Sequence, residues 1–129
     1  MAHPHEDLLR RAYADFARGD LDAYLSVCAD SITFRVPGRS VVAGTYPREQ
    51  FASGLVTKVV EATGGTFRET VLDVVANHTR GVVLARHEFE RNGRAHGYNT
   101  AHVYRINGGR LASFEEYPED LYAFDAAWS

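Results

Sequence analysis

ERNGRAHGYNTAHVYRING, residues 90–108, holds an Asn-Gly pair between two stretches that alternate like extended chain. Asn92 and Gly93 tolerate the left-handed backbone of a two-residue hairpin turn, so the residues on either side should pair as antiparallel strands. That turn sets the register: Arg91 falls opposite Arg94, Phe89 opposite His96, His87 opposite Tyr98, and Val83 opposite His102. Side chains two apart share a face, so His87, Phe89, His96, Tyr98, Thr100 and His102 line one side. Arg86, Glu88 and Glu90 lie on the other side, across from Asn99, Gly97 and Ala95, where solvent or a dimer partner would meet them. The imidazole and aromatic face is therefore expected to be concave, with polar groups at its centre.

Working outward, Asn107-Gly108-Gly109 reads as a three-residue loop that sets Phe114 opposite His102 and Glu116 opposite Thr100. A two-residue loop would swap the faces and bring in Glu115, but the first register turns apolar Phe114 inward and is preferred. Glu116 and His102 are then a diagonal pair, with Cβ atoms under about 7–8 Å apart. Upstream, TFRETVLDVVANH and GVVLARHEFERNG join through Thr79-Arg80-Gly81, so the second half of the chain predicts a four-strand antiparallel meander. The first half is helical in texture. Pro4, Glu6 and Asp7 open a helix carrying Leu8, Leu9, Ala12, Tyr13 and Phe16, and Asp20 caps a second with Leu21, Tyr24, Leu25 and Cys28. Ser31 to Val36 is a short strand, and Thr45 is expected to cap a third helix with Phe51, Leu55 and Val59 that ends at Gly64-Gly65. Helices followed by strands give an α+β class, with helices packed on one face of a curved sheet. EDLYAFDAAWS should dock as a last helical turn over an open end.

The chain has 129 residues, 45% hydrophobic and 24% charged, which suits one globular domain over residues 1–129. A net charge of −3 with mixed signs offers no footprint for nucleic acid or an anionic membrane surface. MAHPHEDLLRR has no apolar core of a leader, and no segment approaches the roughly 18 apolar residues of a membrane span. A cytoplasmic location is expected. The lone Cys28 fits an amphipathic pattern and reads as a small buried hydrophobe.

FARGDLDAYLSVCADSITFRVPG, AGTYPREQF and FEEYPEDLYAFD together resemble the SnoaL-like branch of the nuclear transport factor 2-like superfamily, and the resemblance covers nearly the whole chain. It implies a cone of curved antiparallel sheet wrapped round three N-terminal helices, a deep pocket between them, and a homodimer. It leaves function open among isomerases, polyketide cyclases, dehydratases, epoxide hydrolases and non-catalytic binding modules. Against the ketosteroid isomerases of that fold, the helix-one Tyr position falls on Ala12, the base position on Val36 and the strand Asp position on His102, so their acid–base set is absent.

The chemistry is read from the concave face. A carboxylate beside an imidazole favours the imidazolium and fixes its tautomer, which makes His102 the general acid/base candidate and Glu116 its orienting partner. His87 and Tyr98 are candidate donors to a developing oxyanion. Phe16, Phe34, Phe51, Leu55, Tyr98 and Phe114 are the expected pocket walls. Tyr13 supplies a hydroxyl if helix one is rotated slightly, and otherwise packs at a helix interface. His3, His5 and His78 fall at a terminus or a turn and carry no expected role. His87 and His102, four residues apart along the hairpin, should be about 13 Å apart at ~3.3 Å per residue, too far to share a metal ion. No phosphate-binding glycine loop or nucleophile elbow is present, so no cofactor is expected. The leading expectation is an enzyme moving protons beside a carbonyl of an apolar, ring-bearing small molecule: an isomerase, cyclase or dehydratase. The alternatives are a small-ligand-binding or dimerisation module, and an epoxide hydrolase for which Glu116 is the one plausible inward carboxylate.

Overall fold

The computed structural model describes residues 2–129. Helix α1, Pro4–Ala17, buries Leu9, Ala12 and Tyr13, and α2, Leu21–Ser26, starts where the Asp20 carboxylate accepts from the Ala23 amide. Strands β1, Thr33–Val36, and β2, Gly44–Pro47, form a short antiparallel hairpin. Thr45 therefore lies in a strand and does not cap a helix. Tyr46 draws this segment into the core, where its hydroxyl donates to the Val42 carbonyl at 2.8 Å. The helical path begins only after Pro47, as a 3₁₀ turn at Arg48–Gln50 and a π-helical stretch, Phe51–Val56, that runs into α3, Thr57–Thr63. Gly64, at φ 60°, ends it.

Strands β3, Arg68–Ala76, β4, Arg80–Arg91, β5, Arg94–Asn107, and β6, Arg110–Pro118, complete a six-stranded sheet in the order β2-β1-β6-β5-β4-β3. The meander is antiparallel as expected. The sheet as a whole is mixed, because β1 lies parallel to β6, with Phe34 beside Phe114. That contact joins segments some eighty residues apart and has no local signature. The sheet curves without closing and wraps the helices as an α+β cone. Among the described residues no helix is long and apolar enough to cross a membrane.

The hairpin between β4 and β5 has the register expected from Asn92-Gly93, including His87 opposite Tyr98 and Val83 opposite His102, with φ of 54° and 75° at the turn. The next hairpin differs. Asn107 pairs with Arg110, so the loop is only Gly108-Gly109, and a bulge follows: Ile106 faces Leu111 while Arg105 faces Ser113. The extra residue, Ala112, cancels the face swap that a two-residue loop would otherwise cause. Glu116 thus stays inward but sits directly opposite His102, and Phe114 opposite Tyr104, in place of the diagonal expected. Finally α4, Leu121–Trp128, capped by Asp120, buries Phe124, Ala127 and Trp128 over the end of the cone.

Candidate active site

Glu69, His87 and Tyr98 occupy one cross-strand row of β3, β4 and β5, and Val83, His102 and Glu116 are paired in register across β4, β5 and β6. All point to the concave face, because the sheet alternates and the intervening residues face outward. Val83, His87, Tyr98, His102 and Glu116 are buried. The two imidazoles approach to 5.3 Å between ring centroids. This overturns the separation of about 13 Å computed along a flat strand: on a twisted, concave surface, long side chains lean toward a common centre.

Each histidine bridges a carboxylate and a phenol. His87 Nε2 lies 2.6 Å from Glu69 Oε2, and its Nδ1 lies 3.0 Å from the Tyr98 hydroxyl. Trp128 Nε1–H donates to that hydroxyl at 2.9 Å. His102 Nε2 lies 3.4 Å from Glu116 Oε2, which also accepts from Thr100 at 3.0 Å. Its Nδ1 lies 2.6 Å from the Tyr13 hydroxyl, which continues to Tyr104 at 2.8 Å and thence to Tyr24 at 2.8 Å. When His102 holds two protons, Nδ1–H donates to Tyr13 and each hydroxyl donates one step further. When it holds one, the chain runs the opposite way.

Burial pulls His102 down, but the hydrogen bond and charge of Glu116, with the charge of Glu69, outweigh it and leave the imidazole above its ordinary 6.5. Burial likewise pushes Glu116 and Glu69 up. The hydrogen bonds and charges of His102 and His87 overcome it, and both carboxyls end below 4.5. Tyr13, Tyr24 and Tyr104 rise well above 10.0, chiefly by burial, and stay neutral hydroxyls. Cys28 is buried and its thiol is pushed up to about 12 by burial, in keeping with a structural residue.

These groups form the floor of a cavity that opens to solvent. Of the expected wall residues, Tyr13, Phe16, Phe51, Leu55, Tyr98 and Phe114 line it, as do His87, His102 and Glu116. Phe34 does not: its ring is fully buried behind the wall, 4.4 Å from Phe51 and 5.6 Å from Phe114 between centroids. His96 stands apart, half-buried against Phe89. Glu69 was missed, and Glu116 is therefore not the one inward carboxylate. The signal for Glu69 was its place opposite His87, which becomes readable only once the turn joining β3 to β4 is known. Tyr24, Tyr104 and Trp128 also line the cavity. Tyr104 continues the alternation of His102 and could have been found from it.

Glu69, His87 and His102 each offer a ligand atom within 4.8 Å of the others. Ligands bound at ~2.1 Å around one tetrahedral ion lie about 3.4 Å apart, and Glu69 Oε2 lies 2.6 Å from His87 Nε2 and 3.9 Å from His102 Nδ1, so the three could hold an ion if His102 Nδ1 gave up its bond to Tyr13. The same residues form two carboxylate–imidazole–phenol chains.

The comparisons agree on kinship. The family model of the SnoaL-like domain matches residues 9–114. Uncharacterised proteins of Mycobacterium tuberculosis and Mycobacterium bovis are 31% identical over 125 residues, 95% of each chain. The structure of Bal32a, from a soil-derived mobile gene cassette, superposes with a TM-score of 0.87 at 30% identity over 95% of both chains. A proposed polyketide cyclase of Xanthomonas campestris is similar in fold, with a TM-score of 0.67 at 22% identity over 95% of both chains. On the family match and these relatives, the chain belongs to the SnoaL-like domain family.

Proposed function

We propose that this protein is an enzyme that moves protons beside a carbonyl of an apolar, ring-bearing small molecule, without a cofactor. The observation that carries this reading is the pair of carboxylate–imidazole–phenol chains, side by side at the closed end of an aromatic cavity. Glu69 Oε2 lies 3.9 Å from His102 Nδ1, so a base and an acid stand side by side. In this reading the Glu69 carboxylate, held by His87, takes a proton from the carbon next to the carbonyl. His102, steadied by Glu116, passes its Nδ1 proton to Tyr13 as the Tyr13 hydroxyl turns from Tyr104 to donate its own proton to the carbonyl oxygen, and the substrate becomes a neutral enol. Returning the proton at another carbon is isomerisation, expelling a β-hydroxyl is dehydration, and attack of the enol on a second carbonyl is cyclisation. The likeness in fold to a proposed polyketide cyclase supports the range and does not choose within it. Homodimerisation belongs to the same reading: Val75, Leu84 and Tyr117 are exposed on the outer sheet face and give a second copy an apolar surface to cover.

The test is hydrogen–deuterium exchange next to the carbonyl of aromatic ketones in D₂O, followed by NMR. Wild-type protein should catalyse it, and His102→Ala should lose at least about 10²-fold, the low end for general acid–base catalysis. Binding without exchange would favour the non-catalytic ligand-binding module.

A further inference from the structure

We propose that the cavity selects uncharged ligands: the end of the substrate that reaches the floor carries a carbonyl or hydroxyl, and no carboxylate or phosphate. This rests on the reading above only in taking the cavity as the substrate's site. Every hydrogen bond accepted by Glu69 and Glu116 ends on Oε2. No buried polar side-chain atom among the described residues is left sealed without a partner, so the two Oε1 atoms are accessible, and both residues line the cavity. Both ring nitrogens of His87 and of His102 are engaged by protein partners. Among the described residues lining the cavity there is no Lys or Arg.

An incoming anion would thus meet two carboxylates and no free cationic donor. Solvent cannot screen that encounter well, because the floor is buried and walled by aromatic rings. A carbonyl or hydroxyl loses far less than an ion on leaving water; a carbonyl can accept from Tyr13, and a hydroxyl can donate to an Oε1 atom. An ammonium gains less than two carboxylates suggest, since each already holds an imidazole as its partner. The selectivity is therefore for the neutral ligand over both ions, with the penalty largest for the anion.

Isothermal titration calorimetry at neutral pH on the full chain tests this with three probes of one shape: 2-acetylnaphthalene, 2-naphthoate and 2-(aminomethyl)naphthalene. The ketone should bind tightest, with the naphthoate at least about 10-fold weaker, a conservative figure for one like charge facing buried carboxylates. Glu69→Gln should narrow the gap between ketone and acid, and Glu116→Gln serves if that variant does not fold. Naphthoate binding as tightly as the ketone, the ammonium binding more tightly than either, or failure of all three to bind would overturn the proposal. The expected ranking without catalysed exchange would sink the enzymatic reading and leave the selectivity standing.

Discussion

His102 is a buried imidazole with a carboxylate on one ring nitrogen and a phenol on the other, so its protonation is coupled to everything around it. The sign of the pH dependence follows from the shifts. His102 is raised in the fold, so its contribution to stability is fully present below 6.5 and is lost as pH rises through its higher folded value. Glu69 and Glu116 are lowered, so theirs is present above 4.5 and is lost as pH falls through their lower folded values. Thermal unfolding followed across pH should show this site's stabilisation greatest between those two ordinary values. Glu116→Gln should weaken both limbs, since it removes one acidic titration and the principal partner of His102. An unchanged profile in that variant would show that the pair is not coupled. At the same scale, Tyr13→Phe removes the central hydroxyl of the chain and leaves Tyr104 and His102 each short of a buried partner. It should cost about 1–3 kcal/mol in denaturant unfolding.

Between elements, the glycines separate positions where the fold is close-packed from those where it is not. A Cβ on Gly81, in β4, would come within 2.5 Å of Leu9 Cδ1 on α1, and Leu9 is fully buried. Gly81→Ala should destabilise by about 1–3 kcal/mol, the usual range for overpacking a core. A Cβ on Gly97 meets the end of the Arg86 side chain at the same distance, but that side chain is partly exposed and can swing aside. Gly97→Ala should leave the melting temperature nearly unchanged, and comparable losses in the two variants would contradict this account. The Asn92-Gly93 hairpin was legible from the chain alone because turn chemistry and alternation act over a few residues. The bulge at Ala112 was not: it compensates a tighter turn with an extra residue, and only inward packing of Phe114 and Glu116 selects the pair of changes together. Nor was β2, where Thr45 resembles a helix cap yet the burial of Tyr46 and pairing with β1 prevail.

At the scale of the molecule, α4 joins the end of the chain to the site. Trp128, the one tryptophan, packs 4.2 Å from Phe89 between ring centroids and donates to Tyr98, so the last helix steadies the row of Glu69, His87 and Tyr98. Trp128→Ala should cost about 3–5 kcal/mol in unfolding free energy. Because Trp128 also lines the cavity, ligand binding should change the intrinsic fluorescence of the wild type, and a saturating ligand that leaves the emission unmoved would place its site elsewhere. The sequence by itself determined the order of helices and strands, the α+β class, the register about Asn92-Gly93 and the inward set of His87, Tyr98 and His102. Those properties follow from periodicity and turn residues, which act between neighbours in the chain. Only the tertiary structure decided that the two imidazoles meet, that Glu69 joins them and that Tyr24, Tyr104 and Trp128 complete the two chains. Those contacts depend on the curvature of the sheet and on helices docked from both ends of the chain, and no local pattern encodes a distance across a curved surface.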